Sequence, residues 1–118
     1  MPENIYKICP RTLWRAAEAV GRFDGAPVDI ADGFIHFSSR TQVRETARRY
    51  FSAESDLLLI AVDAGALGDK LKWEPSRGGA LFPHLYGSLP LSAVRSVESL
   101  PLNSDGSHAF RRIFHDSR

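Results

Sequence analysis

Two histidines, a glutamate and a tyrosine lie in this 118-residue sequence where a core alone does not require them. The first segment is Asp32-Gly33-Phe34-Ile35-His36-Phe37-Ser38-Ser39. With a period of two, His36 shares a face with Phe34 and Ser38. An imidazole on such a face must find hydrogen-bond partners or stay uncharged, because burying an unpaired charge is expensive. A lone histidine there is more often a core residue bonded to a backbone carbonyl. The second segment is Lys72-Trp73-Glu74, in which Glu74 points outward or into a cleft if the Trp73 face is the core. Alone, Glu74 reads as a solvated carboxylate paired with Arg77. The third is Ala80-Leu81-Phe82-Pro83-His84-Leu85-Tyr86-Gly87, which in extended form sets an imidazole and a phenol side by side. Alone, His84 and Tyr86 read equally as amphipathic residues of a sheet edge.

Together the three segments say more than each does alone. Two histidines, a carboxylate and a phenol at strand ends, beside the glycine pair Gly78-Gly79, form a set that general acid–base catalysis draws on. The same set can hydrogen-bond the ribose and amide groups of a nucleotide. Neither GxxxxGK nor GxGxxG occurs, so no phosphate-binding loop is present as a motif. His36, Glu74 and His84 have the chemistry of a two-histidine, one-carboxylate metal triad, but no pair has the short spacing of a metal motif, and none is assigned. His108 and His115 read as surface residues of the tail. Cys9 and Asp63 have no partner nearby in sequence, and neither is assigned a nucleophilic role.

These residues need elements to hold them. Asn4 to Cys9 reads as a first strand, and Pro10 opens a helix with Leu13, Ala16, Ala17 and Val20 inward and Gly21 at its end. Asp24-Gly25 and Asp32-Gly33 read as turns. Phe34 to Phe37 is apolar on both faces apart from His36 and predicts a central buried strand. Ser39 and Gln42 predict a capping box for a helix over 40–51, its stripe being Val43, Ala47, Tyr50 and Phe51. Asp56 to Asp63 is the clearest strand. Leu71 to Glu74 is a shorter one, before the loop Pro75 to Gly79. Leu81 to Tyr86 is extended and, because of Pro83, expected on an edge or beside a pocket. Pro90 to Ala93 predicts one helical turn and Val94 to Leu102 a last strand. A short helix is expected around Phe110, Ile113 and Phe114. The order predicts an α+β fold: a single domain over 1–118, with two main helices on a mixed or antiparallel sheet. Its compact part is expected over about 4–102, with a polar tail over 103–118.

Composition narrows the function. Lys and Arg number 15 against 14 Asp and Glu, a net charge of +1, which offers no broad surface for DNA or anionic lipid. One cysteine excludes a disulfide framework and cysteine-rich zinc modules. The longest apolar run, Leu57 to Val62, is far below the roughly 20 residues of a membrane span. The first residues lack the features of a signal peptide. A cytoplasmic protein is expected, with no membrane and no DNA partner.

The blocks Ile5-Tyr6-Lys7-Ile8, Trp14, GFIHFS from Gly33 to Ser38, KWE from Lys72 to Glu74 and FPHLYG from Phe82 to Gly87 together resemble the domain-of-unknown-function family 952. The resemblance spans about Ile5 to Leu100. It implies a fold similar to that of the ADP-ribosyltransferases, including the RNA 2′-phosphotransferase branch, and through that analogy NAD as cofactor or substrate, with RNA left open as a partner. Such enzymes commonly place a His or Arg on an early strand, an aromatic residue or His on a second and a Glu on a late one. Lys7, His36, and Glu74 or His84 stand at those places here.

The expectation is therefore a small enzyme acting on a nucleotide-like ligand such as NAD or ADP-ribose. His36, Glu74 and His84 are its candidate catalytic residues, and Lys7, Trp14, Ser38, Arg77 and Tyr86 its candidate ligand-binding residues. His36 and His84 would bind or protonate the substrate, and Glu74 would act as base or stabilise a developing cation. Tyr86 would stack or donate, and Lys7 and Arg77 would neutralise phosphate. The alternative is a non-catalytic binding module for a metabolite or a partner's peptide. Convergence of His36, Glu74 and His84 in one cleft would favour the enzyme.

Overall fold

A computed structural model describes residues 3–110 and Phe114, apart from the side chain of Arg77. Ile113 and His115 lie outside the described residues. The chain forms β1 (Asn4–Pro10), α1 (Arg11–Val20), β2 (Arg22–Phe23), α2 (Pro27–Asp32), β3 (Ile35–His36), α3 (Val43–Tyr50), β4 (Leu57–Asp63), β5 (Leu71–Pro75), β6 (Leu81–Leu85), β7 (Leu89–Pro90) and β8 (Val94–Leu100). Short 3₁₀ segments over Ala64–Lys70, Arg77–Gly79 and Leu91–Ala93 connect the later strands. The fold is α+β, and among the described residues every strand pair is antiparallel.

One sheet has the order β1-β4-β8 and another β3-β6-β5, with β2 and β7 forming a two-stranded ribbon. A single bridge joins β1 to the strand segment after β3: Tyr6 N–H donates to the Ser38 carbonyl at 2.8 Å, and Ser38 N–H to the Tyr6 carbonyl at 2.9 Å. The central strand β4 is buried on both faces, hence its unbroken apolar run. Leu58, Ile60 and Val62 pack with Ile5, Cys9, Trp14, Phe23, Phe37 and Leu85 on one side. Leu57, Leu59 and Ala61 pack with Tyr6, Ile8, Val43, Ala47 and Leu100 on the other. Phe110 and Phe114 join this second layer, so the core extends past the 4–102 limit expected. Among the described residues, no helix is long and apolar enough to cross a membrane.

Several local expectations shift. The inward face of α1 is Trp14 and Ala17, while Val20 is 63% exposed, because the chain turns away at Gly21. Helix α3 begins at Val43, after a turn in which the Gln42 side chain accepts the Ser39 N–H at 2.9 Å. Tyr50 points to solvent. The segment Phe34 to Phe37 contributes only a two-residue ladder, with His36 half-buried rather than central. Strand β6, expected at an edge or beside a pocket, is the middle strand of its sheet and lies beside a pocket lined by Phe82 and His84. Pro83 is tolerated there because the β3 ladder ends at the His36–His84 pair, and the Pro83 carbonyl accepts the Phe37 N–H at 3.0 Å. The largest departure is α2, a helix where only a turn was expected. Pro27 supplies its first turn, Asp29 accepts the Ala26 N–H at 2.7 Å, and Gly33 closes it at φ 88°.

Candidate functional site

The antiparallel register decides which side chains meet. His36 on β3 stands opposite His84 on β6, and His84 stands opposite Lys72 on β5. Directly opposed residues share a face, so one row carries His36, His84 and Lys72. Glu74 and Tyr86 are two residues along their strands and fall on the same face. The imidazole rings of His36 and His84 lie 5.5 Å apart, centroid to centroid, nearly perpendicular at 70°. Phe34 packs over both, 4.6 Å from His36 and stacked on His84 at 4.1 Å, and also touches Tyr86 at 5.3 Å.

Each histidine is held by a carboxylate. His84 Nδ1 lies 2.7 Å from Glu74 Oε1, which also accepts the Tyr86 hydroxyl at 2.8 Å. These two donors hold the Glu74 carboxyl below its ordinary value. The same carboxylate raises the Tyr86 phenol. His36 Nδ1 lies 2.6 Å from Asp29 Oδ1, and its Nε2 lies 2.9 Å from Asp32 Oδ2. Asp29 is 1% exposed and also binds the Lys7 ammonium at 2.8 Å. Burial alone would raise the Asp29 carboxyl, but hydrogen bonds from His36, Lys7 and Ala26 and the Lys7 charge outweigh it and hold it at about 2.

The two histidines border a cavity of about 590 Å³. Tyr6, Phe37, Tyr50 and Phe82 give it aromatic walls, and Asp32, Ser38, Thr46 and Ser76 give it polar ones. Ser38 and Thr46 share a hydroxyl–hydroxyl bond of 2.8 Å. A second cavity, about 660 Å³, lies between Gly21, Leu67, Lys70 and Leu91 and has no histidine or carboxylate in its wall. The clustered titratable side chains therefore border the smaller one. Among the described residues, no three His, Cys, Asp or Glu side chains come together as a metal cage.

The structure thus brings His36, Glu74, His84 and Tyr86 into one assembly and puts Ser38 in the adjoining cavity wall. Three of the candidate residues are engaged within the protein. Glu74 Oε1 lies against both His84 Nδ1 and the Tyr86 hydroxyl. Lys7 is buried and its charge is matched by Asp29, which leaves none for a phosphate. Trp14 is 1% exposed, packed on Phe23 and donating to Glu18, and so supports the core instead of touching a ligand. The side chain of Arg77 lies outside the described residues. Sequence reasoning missed Asp29 and missed the cavity-lining Asp32, which read only as part of a turn. Proline at 27, an acid two residues later and glycine at 33 were the available signals of a short capped helix.

Comparison with known proteins places these features in a family. The profile described as "Protein of unknown function (DUF952)" matches residues 8–97. The crystal structure of protein CC0527 from Caulobacter crescentus superposes with a TM-score of 0.89 at 50% identity, covering 92% of this chain and 96% of that one. The solution structure of CC0527 gives a TM-score of 0.83 at 50% identity, covering 92% of this chain and 94% of that one. No curated protein matches the chain.

Proposed function

The chain belongs to the DUF952 family of proteins of unknown function, and from its own site we propose that it is a small enzyme using His36 and His84 as an acid–base pair on a nucleotide-like ligand. One observation carries this reading: two imidazoles 5.5 Å apart at one cavity, each held at Nδ1 by a different carboxylate. A carboxylate on Nδ1 fixes which ring nitrogen is left for proton transfer. The cavity falls within the roughly 300–1,000 Å³ of small-molecule sites. Aromatic walls suit a planar base, and the Ser38 and Thr46 hydroxyls suit ribose or amide groups. Lys72, in line with the two histidines, is the cation that would meet a phosphate.

The resemblance to ADP-ribosyltransferases puts NAD and ADP-ribose first among ligands to try, with nucleotides and a short RNA beside them. A cytoplasmic setting fits the lone, buried Cys9. Calorimetry of the wild type against that panel is the test, repeated with His36→Ala. Binding by the wild type and its loss in the variant are expected. No binding by the wild type, or equal binding by the variant, would overturn the reading.

A binding module without chemistry is the second reading. It is favoured by Asp32, whose carboxylate lies 2.9 Å from His36 Nε2 and so crowds the atom that would transfer a proton. A ligand that binds and is recovered unchanged after long incubation decides for the module.

A further inference from the structure

We infer that the cleft walled by Arg22, Lys70 and Leu85 is a second ligand site, built for a small organic monoanion: a carboxylate on an apolar body. It uses none of the residues of the acid–base reading above and does not depend on it.

The floor follows from strand alternation. Neighbouring residues of β6 face opposite ways, so Leu85 turns its side chain away from the row that carries His84. Leu85 is 1% exposed and joins Leu67, Pro90 and Leu91 in the apolar wall of the 660 Å³ cleft. That volume is within the roughly 300–1,000 Å³ of small-molecule sites.

The polar wall is made of Arg22, Lys70, Ser88 and Ser92, and among the described residues it holds no carboxylate. Elsewhere on the surface Arg11, Arg15, Arg48, Arg49 and Arg95 each face an acid. The Lys70 ammonium has neither ion pair nor hydrogen bond among the described residues. Its stem is held in place all the same. The Lys70 carbonyl accepts the Tyr86 N–H at 2.9 Å, and the side chain crosses Gly87, where a Cβ would come within 3.4 Å of Lys70 Cδ. Arg22 binds Asp24 through Nε at 3.0 Å, and its two terminal nitrogens have no partner among the described residues. The Ser88 hydroxyl donates to the same Asp24 oxygen.

Charge and donor type select the ligand. Arg22 and Lys70 bring two positive charges and Asp24, behind Arg22, one negative charge, so one anionic charge balances the cleft. A diphosphate or triphosphate would exceed that balance. Ammonium and guanidinium groups donate and never accept, which suits an acceptor-only head such as a carboxylate. With that head between Lys70 and Arg22, an apolar body covers Leu67, Leu85 and Leu91 and is removed from water.

The test is a titration of the full ¹⁵N-labelled chain with hexanoate at low ionic strength, read from its amide signals, with 1-hexanol and acetate as controls. Saturable shifts are expected at Gly21, Lys70, Ser88 and Ser92, with each control binding at least about fivefold more weakly. Lys70→Met alters an exposed side chain and keeps its apolar stem. It should weaken hexanoate about fivefold and leave 1-hexanol unchanged. No saturable shift with hexanoate, equal binding of either control, or unchanged hexanoate affinity in Lys70→Met overturns the proposal. So do shifts confined to the surroundings of His36 and His84, which would put the anion in the other cavity.

Discussion

Lys7 Nζ lies 2.8 Å from Asp29 Oδ2 with the two side chains only 8% and 1% exposed. Removing one member leaves a buried charge without its partner, which typically costs about 3–5 kcal/mol. Lys7→Met and Asp29→Asn should each lower the stability measured by urea unfolding by about that much. The double variant should recover a large part of either loss, since neither charge is then stranded. Single-variant losses below about 1 kcal/mol would mean the pair is solvated and contributes little.

Asp29 also predicts the acid limb of stability. Its carboxyl is held at about 2 in the folded chain, below its ordinary 3.8. A depressed carboxyl stabilises the fold above the unfolded value and loses that contribution as pH falls through the folded one. Stability should therefore fall between about pH 4 and pH 2, by about 2 kcal/mol from this group. Glu45 is also held at about 2, by hydrogen bonds from Arg48 and Arg49, but it is solvent-screened on the helix surface. Urea midpoints across this range should flatten in the Lys7→Met/Asp29→Asn variant and stay nearly unchanged in Glu45→Gln.

The Tyr86 hydroxyl donates to Glu74 Oε1, and the carboxylate holds the phenolic proton past its ordinary range. An ultraviolet absorbance titration should show one of the three tyrosines of the chain losing its proton at higher pH. In Glu74→Gln that tyrosine should titrate at lower pH than in the wild type. An unchanged titration would mean that the hydrogen bond does not persist in solution.

Gly33 ends the helix that carries Asp29 and Asp32, at φ 88°, and a Cβ built there meets nothing within 4 Å. The cost of a side chain is backbone strain alone. Gly33→Ala should lower stability by about 1–2 kcal/mol. Gly33→Asn should cost less, because asparagine enters the left-handed region more readily. Urea midpoints rank the three proteins, and a Gly33→Ala variant as stable as the wild type would refute the strain.

Long-period and period-two patterns were readable from the residues alone. Leu57 to Asp63 is a strand because both of its faces are apolar, and His36, Glu74, His84 and Tyr86 meet because alternation puts them on one face. What eluded the sequence depended on distant packing. The helix Pro27–Asp32 is too short to show a periodic stripe, and its one fully buried residue is a charged one, Asp29. That acid is explicable only by Lys7, which lies 22 positions earlier. Trp14 looked available for a ligand because its burial is decided by Phe23 beyond the helix end. Phe110 and Phe114 sit in a polar stretch and reveal their role only against Tyr6 and Arg40.

Strand β3 is two residues long, too short to choose its own alignment. A slip of one residue would turn His36 to the opposite face. Asp29 grips both the backbone N–H and the ring of His36, and so works as a register pin. The contacts that orient the ring are the ones that align the strand. Damage to this anchor should thus release the alignment of the strand and the orientation of the ring in a single event.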